Sequence, residues 1–352
     1  KKKWLKVIKE KAEVFGKKYL RRIGDNMANR NFQRAKANKN DEFYTQLKDI
    51  EDELRHYKDH FKGKVVYCNA DDPRVSNFFH YFSYNFEYLG LKKLITTCYK
   101  NQEMDLFSMH DQESAIALVY EGEKDNGRVP TIENIGVIEL SGDGDFRSPE
   151  AIEFLKEADI VVTNPPFSLF REYIAQIMEY EKKFLVIGNY GSVIYKEIFP
   201  LIKENKIWTG MSPRSMNFET PEGDIKTVNA KWFTNLDIPK RHEELILYKK
   251  YNPEDYPKYV NFNGIEVSRV TDIPMDYEGY MGVPITFIEN YNPDQFELIG
   301  HSLELAEPMD KFAEKGEFMQ GGPKFYLEEQ DKEYKYRRLY DRIIIKNKKV
   351  IK

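Results

Sequence analysis

Apolar positions between residues 64 and 190 follow two alternating rhythms. Short, mostly apolar runs stand at Lys64–Cys68, Leu91–Cys98, Val137–Leu140, Ile160–Val162 and Phe184–Gly188. Their length and β-branched content predict buried strands. Between them, apolar stripes at helical spacing predict helices over 77–90, 149–157 and 168–181, the last with Phe170, Tyr173, Ile174 and Ile177 turned inward. Strands alternating with helices predict an α/β fold, a doubly wound and mostly parallel sheet with helices on both faces. Residues 101–135 interrupt the rhythm; they are polar and irregular, with a hairpin expected around Ala115–Tyr120.

The flanks differ. Trp4, Ile8, Ala12, Phe15, Tyr19 and Ile23 make one stripe, predicting a helix over 3–23 followed by a polar, basic linker. Leu47, Ile50, Leu54, Tyr57 and Phe61 predict a further helix, with Thr45 as its N-cap. After residue 205 the pattern changes to short β runs (Ala230–Thr234, Leu245–Tyr248, Val283–Ile288) among Asn, Pro, Gly and Tyr. Met211–Thr220 and Pro221–Lys226 read as loops, and Tyr334–Ile345 as a basic stretch ending in a strand. Three parts are therefore expected: 1–39, a basic helix and linker; 40–204, the core; and 205–352, a β-rich extension with the remaining core strands.

Charge sharpens the first of these. The 352-residue chain carries a net −4, yet residues 1–39 hold 14 Lys or Arg against 3 Asp or Glu, a balance of +11 that leaves −15 for the rest. A basic arm on an acidic body suits a polyanionic partner, and equally a solvated helix face. Cys68 and Cys98 lie in strand-like runs with no CxxC pair, which predicts a reducing compartment and no structural zinc. No run of 18 apolar residues and no apolar signal segment is visible. A cytoplasmic protein with no membrane partner is expected. The chain opens on Lys1 and so reads as trimmed or as a piece of something longer.

The chemistry concentrates where the fourth strand of the alternating core ends, at Asn164-Pro165-Pro166-Phe167. Two prolines stop strand pairing and hold the backbone extended. An amide, rigid carbonyls and an aromatic ring are thereby fixed at the carboxyl end of a strand, where open α/β sheets bind ligands. An amino group on a planar base is a poor nucleophile because its lone pair is delocalised. Acceptance of both its hydrogens, by the Asn164 side-chain oxygen and the Pro165 carbonyl, would favour a tetrahedral nitrogen, and Phe167 can stack on the base for roughly 1–3 kcal/mol. The motif resembles that of amino-methyltransferases using S-adenosylmethionine; the plainer reading is a strand-ending turn. Two acidic turns precede it. One follows Lys64–Cys68 and contains Asp71, Asp72 and Pro73, with Ser76 where a glycine is often found. The other is Ser141 to Phe146, where Asp143 or Asp145 could hold an adenine amino group and Phe146 pack on its ring.

Taken in order, Asn40-Asp41-Glu42-Phe43-Tyr44-Thr45, Asn69 to Ser76, Phe78 to Phe82, Leu94 to Tyr99, Gly144 to Arg147, Val161 to Phe167, Lys231 to Leu236 and Gly282 to Phe287 resemble the EcoRI-like adenine-specific DNA methyltransferases, over roughly residues 36 to 346. The resemblance implies a Rossmann-like class I methyltransferase fold. It implies transfer from S-adenosylmethionine to N6 of an adenine flipped out of duplex DNA, without metal. It places Phe43, Tyr44 and Thr45 at the cofactor pocket, Asp71, Asp72 and Pro73 at its methionine side, Asp145 and Phe146 by its adenine, and Asn164, Pro165, Pro166 and Phe167 at the chemistry. Double-stranded DNA becomes the expected partner, read by the region after 205, with a cognate restriction endonuclease as companion in a bacterial or phage-infected cell. Two other readings stay open: an amino-methyltransferase acting on RNA guanine or protein glutamine, and a DNA-binding subunit without activity. Deletion of residues 1–39 is expected to weaken DNA binding and flatten its salt dependence, by roughly one unit of log–log slope for each phosphate no longer neutralised. Titration at several salt concentrations checks this; an unchanged slope makes the arm a packing element.

Overall fold

The computed structural model describes residues 44–70, 76–98, 115–123, 135–219, 225–329 and 333–350. The basic 1–39 segment lies outside them, as do Phe43, Asp71, Asp72 and Pro73. The chain forms two compact units, one made of residues up to Tyr190 with Gly210–Leu236, the other of Gly191–Thr209 with Asp237 onward.

The first unit contributes seven strands to the central sheet, in the order Val137–Glu139, Ile116–Tyr120, Lys93–Cys98, Val65–Ala70, Ile160–Thr163, Lys183–Asn189, Ala230–Thr234. Five point one way; Ile116–Tyr120 and Ala230–Thr234 run against them. The fold is thus the doubly wound, Rossmann-like α/β arrangement that the alternation predicts. Val65 to Cys68 and Ile160 to Thr163 are buried throughout, as strands covered on both faces must be. The helices Asn77–Tyr84 and Pro149–Glu157 start at serine caps: Phe78 N donates to Ser76 Oγ (3.2 Å) and Ala151 N to Ser148 Oγ (3.2 Å). Phe170, Tyr173, Ile174 and Ile177 form the buried face of the helix Phe170–Glu179.

Several local expectations are corrected. Thr45 caps no helix. Its backbone is taken by a short strand, Tyr44–Thr45, and the helix Leu47–Leu54 starts from Gln46 without a side-chain cap. Ile116–Tyr120, around which a hairpin is expected, pairs antiparallel on both sides, with Lys93–Cys98 and with Val137–Glu139. Met216–Glu219 and Ile225–Val228, expected as loops, pair antiparallel, with Tyr44–Thr45 as third strand. Leu245–Tyr248 is no strand: the Gln295 side chain accepts from Leu245 N (2.7 Å) and donates to its carbonyl (2.7 Å), standing in for a neighbouring strand. The run after Val283 changes at Pro284, which has no N–H, into a 3₁₀ segment over Ile285–Asn290.

The second unit is built on a four-stranded sheet ordered Ile265–Glu266, Met281–Pro284, Arg342–Asn347, Phe296–His301. Tyr259, Phe325, Leu327, Leu339 and Ile344 cluster beneath it. Inside this unit the Glu266 carboxylate is buried and fully engaged: it accepts from Tyr259 OH (2.6 Å), Ser268 Oγ (3.1 Å) and Arg342 Nη2 (2.8 Å). Burial first, then the Glu266 charge, pushes the Tyr259 hydroxyl well above its ordinary range, so it stays a donor. Among the described residues no helix is long and apolar enough to cross a membrane. Arg342→Ala, which strands the Glu266 charge in the interior, is expected to destabilise the second unit by about 3–5 kcal/mol in chemical denaturation.

Candidate active site

The sheet reverses its winding at Val65–Ala70. The chain first builds outward through Lys93–Cys98, then returns to lay Ile160–Thr163 on the other side. At such a point the connections leave neighbouring strands toward opposite faces of the sheet, which leaves a crevice at the carboxyl ends. Here the backbone ladder between the two central strands joins Val66 to Ile160 and Tyr67 to Val161. Beyond it, side chains take over. Thr163 Oγ1 donates to the Asn69 carbonyl, and Tyr173 OH, from the helix Phe170–Glu179, donates to Asn69 Oδ1. Tyr67 OH and Thr97 Oγ1 share a hydrogen of their own, 2.8 Å apart. Burial pushes both tyrosine hydroxyls far up, so Tyr67 and Tyr173 act as neutral struts and not as bases.

Asn164 follows directly and is only 7% exposed; Pro165 is buried, Pro166 and Phe167 are half-buried. Pro166 keeps an extended backbone (φ −53°, ψ 127°), and its carbonyl accepts from Leu169 N (2.9 Å), closing a 3₁₀ turn over Phe167–Leu169. An amide is thus held at the mouth of the crevice with a ring one turn away. Phe167 meets Phe218 edge-on, centroids 6.2 Å apart. Phe218 belongs to Met216–Glu219 and lies opposite Thr45 in the paired strands.

That pairing brings a second predicted group in. Thr45 is buried, and its Oγ1 has no hydrogen-bond partner among the described residues. Its carbonyl accepts from Asn77 Nδ2 (2.8 Å), tying it to the helix that begins after the first acidic turn. Ala70, the last strand residue before that turn, has φ 124°, a backbone region costly for any side chain and found where surroundings enforce it.

The second acidic turn joins from the other side. Gly144 has φ +76°, and a Cβ there would strike the Cys98 carbonyl, so only glycine allows the turn to sit against that strand end. Asp143 Oδ1 accepts from Asp145 N (3.0 Å). The Asp145 carboxylate takes three bonds from Arg147: backbone N (2.8 Å), Nε (2.8 Å) and Nη2 (2.7 Å). This pairing holds Arg147 above its usual range, the hydrogen bond to Asp145 first among the causes. Phe146 stands edge-on to Tyr173 at 5.1 Å. Every predicted site residue that is described therefore gathers at one edge of the sheet: Asn164 to Phe167 at the centre, Phe146 through Tyr173, Thr45 through Phe218.

Asn69, Tyr173 and Phe218 have no site role on sequence grounds. Tyr173 reads as an inward stripe position, and its hydroxyl is the signal that a buried partner must exist. Phe218 sits in a stretch read as loop, where nothing marks it. No group of three or more His, Cys, Asp or Glu is arranged to hold a metal among the described residues.

The family described as adenine-specific methyltransferase EcoRI matches residues 31–348. The Type II methyltransferase M.EcoRI of Escherichia coli is 46% identical over 347 residues, spanning 93% of this chain and 99% of that protein. Two mycoplasma proteins, Type II methyltransferase M.MgeORF184P of Mycoplasma genitalium and Type II methyltransferase M.MpnI of Mycoplasma pneumoniae, are each 39% identical over 289 residues. Those alignments span 76% of this chain in both cases and 85% and 84% of the respective relatives. With a family match from residue 31 to 348 and near-complete coverage of the E. coli relative, the chain belongs to the EcoRI family of adenine-specific methyltransferases.

Proposed function

We propose that this enzyme methylates N6 of an adenine at a specific site in double-stranded DNA, with S-adenosylmethionine as the methyl donor. The observation that carries the reading is Asn164 at the reversal point of the sheet, almost wholly buried, with Pro165 and Pro166 behind it and Phe167 half-open beside it. In the plainer reading of the motif, a strand-ending turn, nothing requires a buried amide at that place.

When bound, S-adenosylmethionine supplies an electrophilic methyl group on a cationic sulfonium. The residues present suit it. Thr45 offers a buried hydroxyl that no protein group among the described residues uses, and the backbone at Ala70 is bent into an unfavourable conformation just before Asp71, Asp72 and Pro73. Phe43, Tyr44 and Thr45 are assigned to the cofactor pocket, and Asp71, Asp72 and Pro73 to its methionine side, where carboxylates suit the positive charges. Phe146, and Asp145 with Arg147 clamped on it, are assigned to the adenine side.

The target base must leave the helix for its amino group to be reached, at a cost of a few kcal/mol. Asn164 Oδ1 and the Pro165 carbonyl would accept its two N6 hydrogens. This withdraws the nitrogen lone pair from the ring and aims it out of plane. The half-buried Phe167 would stack on the base. The buried strand Ile160–Thr163 leads straight into Asn164 and the two prolines and keeps these groups fixed, so that positioning supplies most of the rate. The exposed Arg214 and Lys226, on and beside the Met216–Val228 hairpin, and the region after 205 are assigned to reading base edges and phosphates. Type II methyltransferases among the relatives make a companion endonuclease of the same specificity the expected partner, and the cytoplasm, at the nucleoid, the expected place.

Asn164→Ala is expected to abolish transfer of tritiated methyl to duplex DNA while sparing S-adenosylmethionine binding in calorimetry; wild-type transfer by this variant would sink the mechanism. Methyl incorporated into RNA or protein but not DNA would instead restore the other amino substrates. Thr45→Val, which removes a hydroxyl with no protein partner among the described residues, is expected to leave thermal stability unchanged or higher. It should weaken cofactor binding about tenfold, the loss of one hydrogen bond of about 1.4 kcal/mol.

A further inference from the structure

Glu53 is wholly buried, near the end of the helix Leu47–Leu54 that follows the Tyr44–Thr45 strand. Its carboxylate grips the turn that opens the Met216–Val228 hairpin. Oε1 accepts from Met211 N (2.7 Å) and from Tyr57 OH (2.7 Å); Oε2 accepts from Ser212 N (2.6 Å). From the other side Lys231, also wholly buried, donates to the Ser212 carbonyl. Gly210 completes the fit: its N–H donates to the Trp232 carbonyl (2.9 Å), and a Cβ on it would run into the Glu53 carboxylate.

Taking an acid and an amine out of water costs several kcal/mol each, and apolar residues of the same size would hold a core at least as well. What charge adds here is direction. Two adjacent backbone N–H groups converge on one carboxylate, so the turn has one orientation. Four residues beyond Ser212 begins the strand that pairs with Tyr44–Thr45 and presents Phe218 to Phe167. The segments 44–54 and 210–219 are therefore tied at both ends, by backbone pairing at one and by Glu53 at the other.

We propose that Glu53 is a positioning residue for methyl transfer: through the Gly210–Ser212 turn it sets where Phe218 stands against Phe167, and so the placement of the ring that stacks on the target base. The proposal rests on the assignment of Asn164 to Phe167 to the chemistry. A role confined to stability and a role in positioning separate in a single-turnover assay, because unfolded protein lowers the amplitude of product formed and leaves the rate constant alone.

Full-length Glu53→Gln is mixed in excess with unmethylated bacterial genomic DNA and tritiated S-adenosylmethionine. The expected result is a rate constant lowered at least tenfold. Phe218→Leu is expected to give a similar fall, and the double variant to be no slower than the slower single one, since both act through the same contact. Tyr84→Ala, on an exposed face of the helix Asn77–Tyr84, is expected to leave the rate constant at the wild-type value. A wild-type rate constant with reduced amplitude for Glu53→Gln overturns the proposal, and so does a double variant in which the two losses multiply. Should Glu53→Gln yield no folded protein, Glu53→Asp, which cannot reach both amides, and Phe218→Leu are read the same way, and wild-type rate constants in both overturn it. Asn164→Ala is run alongside. If that variant is inactive while Glu53→Gln keeps the wild-type rate constant, only the positioning role falls; if Asn164→Ala is active, the assignment of the motif falls first.

Discussion

The site depends on what happens to two strands where their shared ladder ends. Val65–Ala70 and Ile160–Thr163 share a ladder at Val66–Ile160 and Tyr67–Val161, and the buried groups beyond it need other partners. Asn69 resolves this. Its carbonyl receives the Thr163 hydroxyl and its amide oxygen the Tyr173 hydroxyl, so side chains join the segments where the ladder stops. A bridge of this kind is short, buried and directional, and Asn164 begins one residue after it. Precision at the amide is inherited from the strut beneath.

The surrounding pieces lean on the same junction. Tyr173 carries Phe146 edge-on, and Phe146 belongs to the turn that Gly144 lets approach the Cys98 carbonyl. On the opposite flank Phe167 reaches Phe218, and the strand holding Phe218 pairs with Thr45. Both flanks are aromatic edge-to-face contacts between otherwise separate segments. Such contacts fix angle as well as distance, at about 0.5–1.5 kcal/mol each beyond burial.

The sheet was legible in the sequence because its central strands are buried on both faces and so are mostly apolar. The Ile160–Val162 run announces a strand, Pro165 and Pro166 announce where it stops, and a ligand edge follows from those two facts. The helix expected over 149–157 has those bounds, and the Ser148 cap and Pro149 hold its start there. What could not be seen was pairing that depends on partners far along the chain. Thr45 reads as a cap because threonine before an apolar stripe usually is one; only the arrival of Phe218 makes it a strand residue. Leu245 to Tyr248 reads as a strand, but a single glutamine side chain supplies the hydrogen bonds a neighbour would have given. Glu53 looks like one more polar position on an amphipathic helix, and its burial is decided by a turn that begins with a glycine at 210.

The Tyr44–Thr45 pairing has a temporal meaning as well. Thr45 lies opposite Phe218, 173 positions further along. Closing so long a loop is slow, and chains are synthesised from the amino terminus at roughly 5–20 residues per second. A growing chain that has reached residue 200 already holds every strand from Val65–Ala70 to Lys183–Asn189, Asn164 to Phe167 included. It lacks the strand against which Thr45 is seated. The pocket edge is therefore among the last parts of the first unit to be assembled, and a ribosome-bound fragment is an incomplete enzyme whatever it has already folded.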